Sequence, residues 1–489
     1  MRHSDARPVV LAILWLAAVA ARLAVGPQVV DDAYITMRYS RNLAATGDLV
    51  YNPPDAVLGT STPLWTGILA LADRAGVAPP RAAVVVSTLA DLGSIALLVG
   101  AAASLSFAAI GAAAAIAAWP AYVAYAVSGM ETSLYVFLII ATATALHARR
   151  LPLAGALAGA TLLCRPEGLL VVVVAIAAAA ADGHGQTRAA DEHGQTRTRG
   201  TRQRLQSAGA TAAAAAAVAG PWVLFALWRY GSVMPASISA KAAATDPWWT
   251  SLNNVGAYFL HGMYLPLTIF AAAGAIALWR SGQTIWRVWA AWGAGYLGAM
   301  TAVNAFTHFP WYFVPLLPLY VGAAAHGGRL LGERIGALHA WTSGPVARRV
   351  LFACAMVGVL LSRMPALKAH LEAGAAGREQ LYASVAADLA RLDPACTVAA
   401  TEIGAIGYYY PGRILDLVGL VSPEAIGRSV PEVLDRGGAR WLVTYDTHLD
   451  RRVVGTAAFT EMFERRRVVP VGPNRSLEIY ERRAGWSCR

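Results

Sequence analysis

Apolar blocks recur along this chain, each close to the roughly 20 residues that span a bilayer. They lie near 8–25, 82–103, 104–121, 131–147, 151–164, 167–181, 208–229, 257–279, 287–304, 311–328 and 346–363. Soluble domains carry about 25% charged residues; here 14% are charged and 57% hydrophobic. The mean hydropathy of +0.47 also excludes a disordered chain. The pattern predicts an all-α polytopic membrane bundle of about eleven transmembrane helices, 1–363. The first block follows basic residues without a small-residue cleavage site and reads as a retained span.

The net charge of +11 does not indicate a nucleic-acid enzyme, because the cations alternate with the spans. With the N-terminus inside, the inner connections hold Arg2, Arg7, Arg149, Arg150, the arginines of 182–207, Arg280, Arg287, Arg329, Arg334, Arg348 and Arg349. The outer ones hold Arg38, Arg41, Arg74, Arg81, Arg165 and Lys241. Loops enriched in cations stay cytoplasmic. The expectation is a plasma-membrane protein with a cytoplasmic N-terminus and an extracytoplasmic C-terminal domain at 364–489. The polar stretch at 182–207, which repeats HGQTR, reads as a cytoplasmic linker.

The C-terminal region changes character. A helix is expected at 378–393, then strands in CTVAAT (396–401), RILDL (413–417), RWLVTY (440–445) and SLEIYER (476–482). Such runs between helical and turn segments predict a small α/β domain. Cys396 and Cys488 flank it and could pair in an oxidising compartment; the alternative is two free thiols. No Cys/His spacing suggests zinc.

The most informative stretch is the first outer loop, 27–80. Asp31 and Asp32 stand where the first span ends. A helix should run to Ala45 before Gly47, and a second at about 62–75 after the turn signals PP and GTSTP. Arg38 falls on nearly the same face as Asp31, about 10 Å along the axis, suited to lining one groove. Further polar residues fall on the same side: Glu131 in SGMETS, Arg165 and Glu167 in CRPEG, Lys241, and His308 in NAFTHFPWY. Each has a plain structural reading. Asp31 and Asp32 favour a helix start, Glu131 caps a helix, Arg165 pairs with Glu167, Lys241 snorkels, and His308 makes an interfacial hydrogen bond. Together they describe a polar cavity at the membrane surface. Its cations suit a phosphate, and its acids suit proton abstraction or a hard cation.

The strings DDAYITMRYSRNLA, GDLVYNPPDAVLGTSTPLW, GMETSLY, CRPEGLL and EIGAIGYYYPGRILDLVGL resemble the C-type-fold (GT-C) membrane glycosyltransferases. Within that superfamily they are most similar to the group around the actinobacterial terminal arabinofuranosyltransferase. The resemblance implies inverting transfer from a polyprenyl-phosphate sugar to an envelope glycan or lipid acceptor. Arabinofuranose is favoured, with mannose or another sugar open. It also implies that the acid pair maps to Asp31 and Asp32, one acting as base, with Asp31 favoured and the roles reversible. Arg38, Arg41, Arg165 and Lys241 would hold the donor phosphate; Glu131, Glu167 and His308 would line the cavity. Asp31 and Asp32 could bind Mg, Mn or Ca; no other cofactor is implied.

A secondary transporter or flippase is the main alternative, expected to show internal repeats and a mid-depth site. A non-catalytic scaffold is a third reading. Convergence of Asp31, Arg165 and Lys241 on one cavity would discriminate among them.

Overall fold

The computed structural model describes residues 6–100, 105–181, 196–238, 247–261, 264–307, 309–334, 345–373, 375–445, 451–472 and 475–483. Helices dominate as far as Leu392, and a small mixed sheet follows. The bundle opens with α1 (Arg7–Val25), α2 (Asp31–Thr46), α3 (Pro63–Arg74) and α4 (Pro79–Gly100). Next come α5 (Phe107–Ala118), α6 (Pro120–Ala126), α7 (Thr132–His147), α8 (Leu151–Cys164), α9 (Leu169–Ala181) and α10 (Thr196–Tyr230). Then follow α11 (Trp248–Leu260), α12 (Tyr264–Arg280), α13 (Thr284–Ala302), α14 (Leu317–Arg334) and α15 (Pro345–Leu361). Within the described residues each of the eleven apolar blocks overlaps one or two of these helices. Among the described residues four helices could cross a membrane by length and composition, or up to six if each of two bent pairs is one span. Three more apolar helices are shorter.

The bend between α5 and α6, 54°, has a local cause. Pro120 has no N–H to give the Ile116 carbonyl, and a buried carbonyl without a donor is costly. Arg22 of α1 supplies one, donating from Nη2 to Ile116 O at 2.8 Å and from Nη1 to Ala117 O at 2.6 Å. Asp91 of α4 balances the charge: Arg22 Nη2 lies 2.6 Å from its Oδ2. Tyr122 and Ser133 also donate to Asp91, at 2.8 and 3.0 Å. A buried pair is tolerated when its remaining hydrogen-bonding capacity is used in this way.

Two helices lead out of the bundle, α16 (Met364–Ala373) and α17 (Ala375–Leu392). The sheet then has the order β2-β1-β3-β5-β4. Strand β1 (Val398–Ala400) lies parallel to β2 (Ile414–Asp416) and β3 (Trp441–Tyr445). Strand β5 (Arg475–Arg482) runs antiparallel to β3 and to the edge strand β4 (Phe463–Gly472). Four strands fall in the expected runs. Strand β4 lies outside the expected runs; its charge and proline, Arg465, Arg466, Arg467 and Pro470, are features of an edge. Cys396 is disulfide-bonded, whereas Cys488 lies outside the described residues.

One short helix, α18 (Gly404–Tyr409), connects β1 to β2 and packs on α2. Its core partners include Tyr34, Met37, Tyr39 and Tyr51. The approach is close: a Cβ on Gly404 would collide with the Asp31 carbonyl oxygen.

Candidate functional site

Helices α2 and α3 take nearly the expected bounds, and α2 begins at Asp31. Val30 is its N-cap and offers no side-chain bond. Asp31 instead caps a different helix. Its Oδ2 accepts from Gly404 N and its Oδ1 from Ala405 N, both at 2.8 Å. The side chain is buried, and its carboxyl is pushed up to about 7, first by burial and then by Glu402. The Asp31 backbone N–H donates to Glu379 Oε1 at 3.2 Å.

Arg38 does the complementary work. It donates from Nη1 to the carbonyls of Gly407 and Tyr410, and from Nη2 to Gly412 O and Asn52 Oδ1. Its Nε donates to Tyr51 O at 2.8 Å. Guanidinium has five N–H donors, and all five are used. Arg41 stacks on Tyr408, its Cζ 4.8 Å from the ring centroid. The face of α2 that carries Asp31 and Arg38 therefore holds the C-terminal segment, and neither arginine lines the cavity described next.

Asp32, one residue on, faces a cavity of about 330 Å³. Glu131, Arg165 and Glu167 line it too, so four of the expected residues meet there. The chain arrives by local necessity. The N–H groups of Gln28 and Val30 donate to Val127 O and Ser128 O, both at 3.0 Å. That pairing sets Asp32 beside the turn preceding Glu131. Pro166 forbids helical backbone in the residue before it. Arg165 is accordingly extended, at φ −152 and ψ 142, and ends α8. Its Nε lies 3.5 Å from Glu131 Oε1 and 3.5 Å from Glu167 Oε2. Its Cζ sits 5.5 Å from the Tyr135 ring and 5.2 Å from the Tyr312 ring. Arg165 is only 4% exposed. Both carboxylate contacts are longer than a hydrogen bond, and the buried Nη1 has no partner among the described residues. The cation is held but has donor capacity left. Glu131 occupies the N-cap of α7 without a side-chain capping bond.

The other walls were not foreseen. Thr60, Ser61, Thr62 and Ser237 supply hydroxyls, and Trp65, Trp311 and Tyr312 supply aromatic rings. As a sequence GTSTP reads as a turn signal and does not announce a hydroxyl wall. Leu420 of the C-terminal segment also reaches the cavity. It can do so because Gly59 lacks a side chain; a Cβ there would meet Val421 Cγ1, Tyr39 Oη and Leu420 O within 3 Å. Lys241 and His308 lie outside the described residues.

Hard divalent cations gather several oxygen ligands. Among the described residues no three His, Cys, Asp or Glu side chains assemble to hold a metal. Both Asp31 oxygens are taken by N–H donors. The acid pair does not fit a metal site.

Comparison with known proteins places this architecture. Residues 372–485 match a family described as a domain of unknown function (DUF8728). No curated protein matches the chain in sequence. Among solved structures, ArnT from Cupriavidus metallidurans bound to undecaprenyl phosphate is similar at 15% identity, over 96% of this chain and 98% of that one, with a TM-score of 0.58. The oligosaccharyltransferase of Archaeoglobus fulgidus tethered to an acceptor peptide is similar at 12% identity, over 89% and 68%, TM-score 0.53. A mutant of the arabinofuranosyltransferase AftD from Mycobacteria is similar at 14% identity, over 97% and 41%, TM-score 0.50. The chain has the C-type (GT-C) fold. It is a multi-pass membrane protein with a small C-terminal sheet. The fold agrees with the resemblance carried by the motifs.

Proposed function

We propose that the chain transfers a sugar from a polyprenyl-phosphate carrier to a hydroxyl acceptor, with inversion at the anomeric carbon. The observation that carries the reading is the meeting of Asp32, Glu131, Arg165 and Glu167, drawn from three separate motifs, in one cavity with hydroxyl and aromatic walls. Asp32 is the base. It faces the cavity, whereas Asp31 spends both oxygens on α18, so the reversed assignment of the acid pair is preferred. The acceptor hydroxyl gives its proton to Asp32. Its oxygen bonds to the anomeric carbon as the carbon–phosphate oxygen bond breaks. Polyprenyl phosphate leaves with the electron pair, and Arg165 stabilises its growing charge through Nη1. The hydroxyls of Thr60, Ser61 and Ser237 match sugar hydroxyls, and Trp65 or Tyr312 offers a ring face. Arg38 and Arg41 are left out of phosphate binding; Lys241 is retained as a second phosphate ligand.

The sugar is arabinofuranose and the acceptor belongs to the cell envelope. About eleven crossings at 1–363 put the N-terminus and the 182–207 linker in the cytoplasm. The cavity and the 364–489 domain then lie outside the plasma membrane.

The test uses the full chain in nanodiscs with a radiolabelled polyprenyl-phosphate arabinofuranose and an envelope extract. Transfer with inverted anomeric configuration is expected. Donor left intact with every extract, or moved across the bilayer without transfer when the chain is placed in proteoliposomes, would reject the reading; the latter would indicate a flippase.

A further inference from the structure

A second and larger cavity, about 780 Å³, lies beside the first. The bent stretch Trp119–Tyr125 forms one side, and residues 359–371 of α15 and α16 form the other. Its chemistry is the opposite of its neighbour's. Apolar side chains such as Leu360, Leu367 and Leu371 dominate, and no carboxylate lines it among the described residues. Among the described residues the basic side chains that line it are Arg363 and His370. Neither has a side-chain partner among the described residues.

The geometry of α16 fits a headgroup layer. Met364, Leu367 and Leu371 pack against Ala21 and Val25 at the end of α1 and against Val123 and Val127. The ion pair of Lys368 with Glu372 lies on the exposed side, at 3.9 Å. The helix is thus amphipathic and rests at the level where the first span ends, with Gln28 and Val30 also lining the cavity. Val359 at its margin is 64% exposed, so the apolar wall continues onto the membrane-facing surface. A guanidinium at headgroup depth over an apolar wall attracts anionic lipid.

The two cavities adjoin. Val30 lines the second and Asp32, two residues on, lines the first. Tyr125 of the second has its ring centroid 6.4 Å from that of Trp311, which lines the first. Tyr125 and Asp32 are electrostatic neighbours.

We infer that the second cavity binds the acceptor, and that this acceptor is a membrane lipid with an anionic, hydroxyl-bearing headgroup. The inference rests on the transferase reading above. Arg165 already supplies the first cavity with the cation a leaving phosphate needs. A separate anion site over its own apolar wall suits a second lipid substrate. The lipid's chains lie along Leu360, Leu367 and Leu371, Arg363 holds its charge, an imidazole N–H of His370 donates to its headgroup, and its hydroxyl passes Tyr125 and Trp311 to reach Asp32. That hydroxyl loses its proton to Asp32 and takes the sugar, while polyprenyl phosphate departs.

The probe is phosphatidylinositol bearing a photoactivatable diazirine, in phosphatidylcholine nanodiscs containing the full chain. Crosslinks are expected on the peptides around 119–125 and 359–371. They should fall at least fivefold in the double variant Arg363→Ala, His370→Ala and persist in Arg363→Lys. With labelled donor present, the label should move from the donor to a new lipid that runs as glycosylated phosphatidylinositol on thin-layer chromatography. The double variant should raise the KM for the lipid about tenfold while leaving the donor KM unchanged. Both residues are exposed, so a thermal melt identical to that of the parent chain checks folding. Crosslinks spread evenly over the membrane-facing surface would overturn the site. Transfer only to water-soluble glycan would overturn the lipid acceptor while keeping the transferase. Site-specific crosslinks without transfer to any acceptor would overturn both the acceptor role and the transferase reading.

Discussion

Asp31 and Arg38, seven residues apart on α2, hold the two ends of a single helix, α18. The carboxylate takes the N–H groups of Gly404 and Ala405, and the guanidinium takes the carbonyls of Gly407 and Tyr410. Seven residues of α2 rise about 10 Å and the six of α18 about 9 Å, so the clamp matches what it holds. Its charges also match the helix dipole, negative at the N-terminus and positive at the C-terminus.

Removing the clamp should therefore loosen the C-terminal segment. Asp31→Ala leaves two buried N–H groups without their acceptor, a cost of about 1–3 kcal/mol. Gly404→Ala should cost at least as much, because the new Cβ meets the α2 backbone. Thermal melts should shift downward, and limited proteolysis should cut between α17 and β2 sooner than in the parent chain. Unchanged melts would contradict the clamp.

The same contact sets a pH dependence. In the unfolded chain the Asp31 carboxyl keeps its ordinary value of 3.8; in the folded chain it stands at about 7. Burial also raises the carboxyls of Glu379 and Glu402, which face it. Between pH 4 and 7 the folded chain holds a proton that the unfolded chain has released, so stability falls as pH rises through this window. Melting temperature should decline from pH 5 to pH 8, and Asp31→Asn should flatten the decline. A slope of opposite sign would contradict it.

Arg38→Lys tests whether this arginine is a clamp or a phosphate ligand. Lysine keeps the charge but has three donors in place of five. The expected loss is about 1.5–3 kcal/mol in stability, with the donor KM unchanged. A raised donor KM at unaltered stability would return Arg38 to the phosphate site.

How far the sequence could lead depended on distance along the chain. The end of α2 at Gly47, the start of α3 at Pro63 and the positions of β1, β2, β3 and β5 follow from local turn and alternation signals. Glu131, Arg165 and Glu167 were legible because ionisable residues beside apolar runs are costly unless they face a cavity. The partner of Asp31 lies 373 residues away, and no spacing rule connects them. The shared face of Asp31 and Arg38 was visible; that it would be filled by α18 was not. The Arg22–Asp91 pair was passed over because each residue alone sits in an ordinary apolar block. The hydroxyl wall stayed hidden because Thr and Ser in GTSTP satisfy a turn equally well.

Arg165→Ala should strike the donor. Removing one preorganised charge from a developing anion costs about 10²–10³ in rate. The donor KM should rise more than the acceptor KM, read from steady-state kinetics with each substrate varied in turn. Equal effects on both, or on the acceptor alone, would contradict the phosphate role.

The most direct test of the central claim compares Asp32→Asn with Asp31→Asn in the same nanodisc transfer assay, each with a folding check. Asp32→Asn should lower turnover by about 10²–10⁴-fold with an unchanged melt, while Asp31→Asn should shift the melt and keep measurable transfer. Near-normal transfer by Asp32→Asn would contradict the claim that the cavity beside α2 is where the sugar changes hands.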